Sequence, residues 1–211
     1  MEFDSVTRRL PVYMLIDCSG SMNGDAIESV DQGFRNLTAK LTGDPHTAEV
    51  VWLSIIVFDT VPRQLMPLHP IGGFRGLPLS VSGSSNLGKA LEFLHECIKK
   101  EVRKHTRERR GDWKPLVFLM TDGKPTDEWE EQCKPFGTDM NLVACGVGVD
   151  ADISNLKKLT DKVVLMKDMT RETFDQFIEF LSSTMSTASQ RTDSRSDRLV
   201  LEQKYDRILL T

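Results

Sequence analysis

The sequence predicts an α/β fold, a doubly wound and mostly parallel sheet with helices on both faces and one antiparallel edge strand. Three observations predict it. Continuous apolar runs of strand length, such as Val12–Ile16 and Leu116–Met120, suit strands covered on both faces. Segments with apolar residues at steps of three and four, the spacing of amphipathic helices, separate those runs. Strands alternating with helices need crossover connections, and these make neighbouring strands parallel.

The elements follow in order. Val12–Ile16 is the first strand, and Ile27, Val30, Phe34, Leu37 and Leu41 mark the apolar stripe of a helix that Gly43 and Pro45 end. Val50–Phe58 reads as a long strand, and Arg63–Leu68, after the turn Asp59-Thr60-Val61-Pro62, as its antiparallel edge partner. Pro70 to Ser85 is a Gly, Pro and Ser-rich loop. A helix begins at Leu87, with Ala90, Leu91, Leu94, Ile98 and Val102 on one face. Leu116–Met120 is the next strand. A short helix over Glu128–Cys133, a strand over Leu142–Val149, a helix near Ser154–Leu159 and a strand over Val163–Met166 follow. Phe174, Phe177, Ile178 and Leu181 mark a closing helix. Residues 1–187 form one domain. Residues 188–211, rich in Ser, Thr, Arg and Asp, read as a disordered tail although the last residues regain apolar character.

Composition narrows the function classes. The 211 residues carry 39% hydrophobic and 27% charged side chains with net charge −4, which argues against a nucleic-acid partner. One stretch runs the other way: Lys99 to Arg110 reads KKEVRKHTRERR, either an anion-binding patch or a solvated helix end whose cations suit the helix dipole. Apolar runs stay far short of the roughly 20 residues that cross a bilayer, so no membrane role is expected. MEFDSVTRRL lacks a secretion-signal pattern, and Cys18, Cys97, Cys133 and Cys145 stand alone, so a cytoplasmic protein with reduced thiols is expected.

The chemistry gathers in three polar loops: Asp17–Ser21 (DCSGS), Gly83–Gly88 (GSSNLG) and Thr121–Asp127 (TDGKPTD). Asp17 and Asp122 each follow an apolar strand, so both carboxylates should lie at the edge of the sheet where ligands of such folds bind. With Ser19, Ser21 and Ser85 they make five oxygen-bearing side chains, a donor set suited to Mg²⁺. Helix capping by Ser21, Asn23 or Asn86 explains any one loop alone, but not all three together.

Other readings fit less well. Gly83–Lys89 matches the start of a phosphate-binding loop, but Ala90 stands where that loop needs Ser or Thr. Ser19 lacks a nucleophile elbow, and no segment carrying His46, His69, His95 or His105 is expected beside it. A metal-dependent nucleotide-binding or hydrolytic enzyme built on Asp17, Asp122 and the Gly83–Lys89 loop is the alternative.

The DxSxS loop, a hydroxyl before a helix beginning G-x-A-L, and a strand-terminal T-D-G resemble the metal-ion-dependent adhesion site of von Willebrand factor type A domains. RRLPVYMLIDCSGSM, SGSSNLGKAL and GDWKPLVFLMTDGKPTD are further similar to the TerY group of bacterial tellurium-resistance and stress-response loci. The resemblance implies a Rossmann-like fold and a Mg²⁺ site (Mn²⁺ or Ca²⁺ as substitutes) on Asp17, Ser19, Ser21, Ser85 and Asp122, the last acting partly through water. Position 85 is usually Thr in the family, and Ser84 is the substitute if the loop registers differently. It also implies a non-enzymatic module that binds a partner's Asp or Glu, with a Ser/Thr kinase and a PP2C-type phosphatase as partners.

Overall fold

The computed structural model describes residues 8–20, 26–73, 80, 82–107, 109–131, 139–168, 170–190, 201 and 208–210. Its elements are β1 (Leu10–Asp17), α1 (Ala26–Thr42), α2 (Pro45–Val50), β2 (Val51–Phe58), β3 (Arg63–Pro70), α3 (Leu87–Glu101), β4 (Leu116–Thr121), β5 (Asn141–Val147), α4 (Ile153–Leu159), β6 (Val163–Met166), α5 (Arg171–Ser189) and β7 (Ile208–Leu210). The sheet order is β3-β2-β1-β4-β5-β6-β7. The pairs from β2 through β6 are parallel. The expected antiparallel edge strand is β3, and β7 adds another at the opposite edge.

Alternate residues of the central strands face opposite layers, which is why the runs are apolar throughout. Val12, Met14 and Ile16 of β1 pack with Phe34, Leu37 and Leu41 of α1 and with Phe174, Phe177 and Leu181 of α5. Tyr13 and Leu15 face the other way, toward Leu87, Leu91 and Leu94 of α3. The side chains of Ile27 and Val30 lie outside the described set.

Four local expectations change. Pro45 starts a helix rather than merely ending one: Asp44 caps α2 by accepting from the Thr47 amide, and Pro suits the first helical turn, where no N–H is needed. Val50 therefore ends α2, and β2 starts one residue later. The helix expected over Glu128–Cys133 is absent among the described residues 128–131, and Cys133 lies outside them. Trp129 anchors that stretch instead, buried in the α3-side core. Lys99–Arg110 is not one helix end, because α3 stops at Glu101 and a loop follows.

Residues 188–211, read from composition as a tail, hold two ordered pieces. α5 continues through Ser189 because its last turns carry Thr184, Met185, Ala188 and Ser189 buried, with His46 and Thr47 of α2 against Ser189. Ile208–Leu210 pair with β6 through Met166↔Ile208 and Val164↔Leu210, and Ile208 is 2% exposed. An open strand edge offers main-chain partners to any short extended segment, whatever its neighbours in sequence.

Candidate metal centre

β1 and β4 are neighbours, while β1 connects outward to β2 through α1, so strand order reverses between them. Their carboxyl ends open the crevice where doubly wound sheets bind ligands. Asp17 ends β1, Thr121 ends β4, and Asp122 follows directly.

Asp17 is the hub. It is 1% exposed, and its Oδ2 accepts the Ser85 hydroxyl at 2.7 Å and the Thr121 hydroxyl at 2.7 Å. Its Oδ1 accepts the Ser19 amide at 2.9 Å. One carboxylate thus ties the three loops together. Asp122 repeats the local turn, its Oδ1 accepting the Lys124 amide at 3.0 Å. Such carboxylate-to-amide bonds two residues on hold a loop in one conformation. Gly123 at φ +74° allows the next step, since a Cβ there would lie 2.7 Å from the Asp152 carbonyl oxygen.

The Ser85 loop is pinned from three sides. The Ser84 amide donates to Thr60 Oγ1 (3.2 Å), the Asn86 amide to the Asp59 carbonyl (3.1 Å), and the Ser82 amide to the Cys18 carbonyl (2.9 Å). Gly83 sits at φ +74° with Thr60 Oγ1 only 2.4 Å from where a Cβ would be. From the other side, Thr126 gives both its amide (2.8 Å) and its hydroxyl (3.1 Å) to the Ser85 carbonyl.

The residues singled out from sequence fall as follows. Asp17, Ser19, Ser85 and Asp122 are buried at this end of the sheet, and Ser21 lies outside the described residues. Ser85 rather than Ser84 bears on Asp17; Ser84 is exposed. Thr121 was missed as a site residue, although the T-D-G motif named it. Asn86 makes no side-chain cap to α3. Asp127 takes that place across the chain, its two oxygens accepting the Gly88 (3.0 Å) and Lys89 (3.2 Å) amides. Those are donors a phosphate at Gly83–Lys89 would need.

The donor chemistry fits a hard divalent cation. A hydroxyl that gives its proton to Asp17 keeps lone pairs for a cation, so Ser85 can serve both at once. Among the described residues no Lys, Arg or His forms an ion pair with Asp17 or Asp122, and no group of three or more His, Cys, Asp or Glu is placed to hold a metal. A cation here would therefore rest on two carboxylates, hydroxyls and water, the ligand mix of Mg²⁺ rather than of structural zinc. Cys18 adds no thiolate: burial first, then the negative charges of Asp17 and Asp59, push its thiol up to about 12.

Known proteins show the same architecture. The vWF domain of the type V pili tip protein Mfa5 from Porphyromonas gingivalis superposes with a TM-score of 0.63 at 11% identity, covering 89% of this chain and 98% of that one. The ArnB paralog VWA2 from Sulfolobus acidocaldarius gives 0.60 at 19% identity, covering 84% and 45%. Proximal thread matrix protein 1 from the mussel byssus, solved with a zinc-occupied MIDAS motif, gives 0.58 at 14% identity, covering 85% and 48%. The chain spans about half or less of the length of the first structures it matches. No curated protein sequence matches it. No described helix is long and apolar enough to cross a membrane. The family model of the von Willebrand factor type A domain matches residues 12–164, well over half of the chain, and this chain belongs to that family.

Proposed function

We propose that this protein is a metal-dependent protein-interaction module and not an enzyme. Asp17, Ser19, Ser21, Ser85 and Asp122 would hold Mg²⁺, and an Asp or Glu of a partner would complete its coordination. The observation that carries the reading is Asp17 Oδ2, which gathers the hydroxyls of Ser85 and Thr121 from two other loops. Bound Mg²⁺ supplies an electrophile with only two anionic protein ligands, which favours an incoming carboxylate. The protein's own residues orient the donors: Thr121 and the Ser19 amide fix Asp17, the Lys124 amide fixes Asp122, and Thr126 fixes Ser85. The mussel thread protein with zinc in its MIDAS motif supports occupation by a divalent ion.

The finer assignment rests on the likeness of three segments to the TerY group. On it, the module is a bacterial cytoplasmic scaffold for a Ser/Thr kinase and a PP2C-type phosphatase in tellurium resistance or stress response. The test is affinity capture from native lysate in Mg²⁺ and in EDTA, with Asp17→Ala as control. Partners retained in Mg²⁺ and lost in both other conditions are expected. Identical capture in all three would overturn the metal-dependent reading.

A further inference from the structure

The opposite end of the molecule carries a second surface. α3 starts beside Ser85 and runs 15 residues, about 22 Å at 1.5 Å per residue, away from the crevice. From its last turn onward, Lys99 to Lys114 holds eight Lys and Arg against three Asp and Glu, in a chain of net charge −4. Lys99, Lys100, Lys104, Arg107, Arg109 and Arg110 are all exposed. Apart from Lys99, 3.9 Å from Glu96, none of the six pairs with a carboxylate among the described residues.

The two acids of this stretch among the described residues, Glu101 and Asp112, are turned inward. Glu101 accepts from the Tyr13 hydroxyl (3.0 Å), the Gln64 side-chain amide (3.0 Å) and the Leu68 amide (3.3 Å). Asp112 is buried and accepts from the Arg9 Nε (2.8 Å) and the Arg103 amide (2.7 Å). Glu108 lies outside the described residues. The same bonds cinch the loop at its base, where the Asp112 amide also donates to the Arg103 carbonyl at 2.9 Å. Arg8 clamps Gly111 and Asp112 through their carbonyls (2.8 and 3.1 Å). Gly111 packs so closely that a Cβ would lie 2.5 Å from the His105 amide nitrogen. Within the loop, Thr106 and Arg109 exchange two bonds, amide to carbonyl (2.9 Å) and amide to hydroxyl (3.2 Å). A solvated helix end needs no such anchoring.

We propose that this anchored basic loop is a second docking surface, and that its partner is an acidic segment of another protein. Three of the six cations are Arg, whose forked donors match carboxylates in pairs. A nucleic acid fits worse. Outside the stretch the chain carries 19 Lys and Arg against 28 Asp and Glu, which a long polyanion would meet and a short peptide would not. A guanidinium also stacks on each nearby indole, Arg8 on Trp113 at 3.9 Å and Arg9 on Trp52 at 4.4 Å, which leaves less aromatic surface for stacking bases.

The experiment is fluorescence anisotropy with the full chain at low ionic strength in EDTA, so that the metal crevice cannot capture carboxylates. The probes are a labelled Asp/Glu-rich decapeptide, its Asn/Gln counterpart, and a single-stranded oligonucleotide of matching charge. The acidic peptide should bind, weaken steeply with salt, and lose at least about tenfold in affinity in the triple variant Arg107→Ser, Arg109→Ser, Arg110→Ser. Asp17→Ala should leave this binding unchanged, which separates it from the metal-site reading. Circular dichroism checks that the variants fold, and Lys99→Gln with Lys100→Gln provides a second, weaker reduction. No binding of the acidic peptide, tighter binding of the oligonucleotide, or affinity unmoved by the triple variant would each overturn the proposal.

Discussion

Replacing Thr121 by Val tests the crevice where three loops meet. The substitution keeps the side-chain shape and exchanges a hydroxyl for a methyl. Two bonds disappear with that oxygen. It donates to Asp17 Oδ2 at 2.7 Å and accepts the Gly123 amide at 3.1 Å. A hydrogen bond to a charged group contributes about 1.5–3 kcal/mol, and a buried amide left without an acceptor costs about 1–3 kcal/mol. The two losses share one oxygen and are not additive, so about 3 kcal/mol of destabilisation is expected in EDTA. In a chain of this length that lowers Tm by roughly 6–12 °C.

The assay is urea denaturation in EDTA, read as a shift in midpoint at unchanged slope, followed by Mg²⁺ titration calorimetry. Asp17 without its Thr121 partner is freer to turn away, and loss of such an orienting contact weakens metal binding by about 10–100-fold. Destabilisation below about 0.5 kcal/mol would mean that the Thr121–Asp17 bond is not populated in solution. The hub described for Asp17 would then be wrong.

Three further outcomes follow from the same loops. Asp127→Ala removes the acceptor for the first amides of α3 and should cost about 1 kcal/mol, within the usual 0.5–2 for a lost cap, read as a fall in Tm. Gly83→Ala forces a side chain onto a φ of +74° and against Thr60, and should cost at least about 1–2 kcal/mol in chemical denaturation, only part of it recovered by adding Thr60→Ala. For Asp59, burial acts to raise the carboxyl pKa, but the Val61 amide and Arg63 outweigh it and hold it below the ordinary value. Its contribution is therefore present above about pH 4 and lost as pH falls through the lowered value. Asp59→Asn should lower the urea midpoint at neutral pH and flatten the acid limb below about pH 4.

How much of this was legible in the chain depends on how local each cause is. Asp17 and Asp122 could be placed because a carboxylate just after an apolar strand run has one position in a parallel sheet. Ser85 could be placed because it stands next to a helix start. Thr121 was hidden because it reads as the first residue of a polar loop, beside an aspartate that draws the metal assignment; the structure makes it the last residue of β4, and only the register of β1 against β4 brings its hydroxyl to Asp17. The cap on α3 comes from Asp127, 39 positions away from Gly88, whereas a local reading offers only Asn86 as a candidate. β7 was illegible for a related reason: three residues hold their place by pairing with β6 rather than by any pattern of their own.

Ser85 differs from the Thr usual at its position by one methyl, which normally restricts χ1. In this chain other contacts do that work. The hydroxyl is held on Asp17 Oδ2 at 2.7 Å, and the carbonyl accepts twice from Thr126. The amides on either side are also held: Ser84 on Thr60 and Asn86 on Asp59. A side chain free among three staggered wells gains at most about 0.6 kcal/mol by being confined to one, a factor of about three in affinity. Ser85→Thr should therefore raise Mg²⁺ affinity by no more than about threefold in titration calorimetry, whereas Ser85→Ala should lower it by at least tenfold. A gain of tenfold or more on Ser85→Thr would mean that the serine is loosely held and that its bond to Asp17 is a minor conformation.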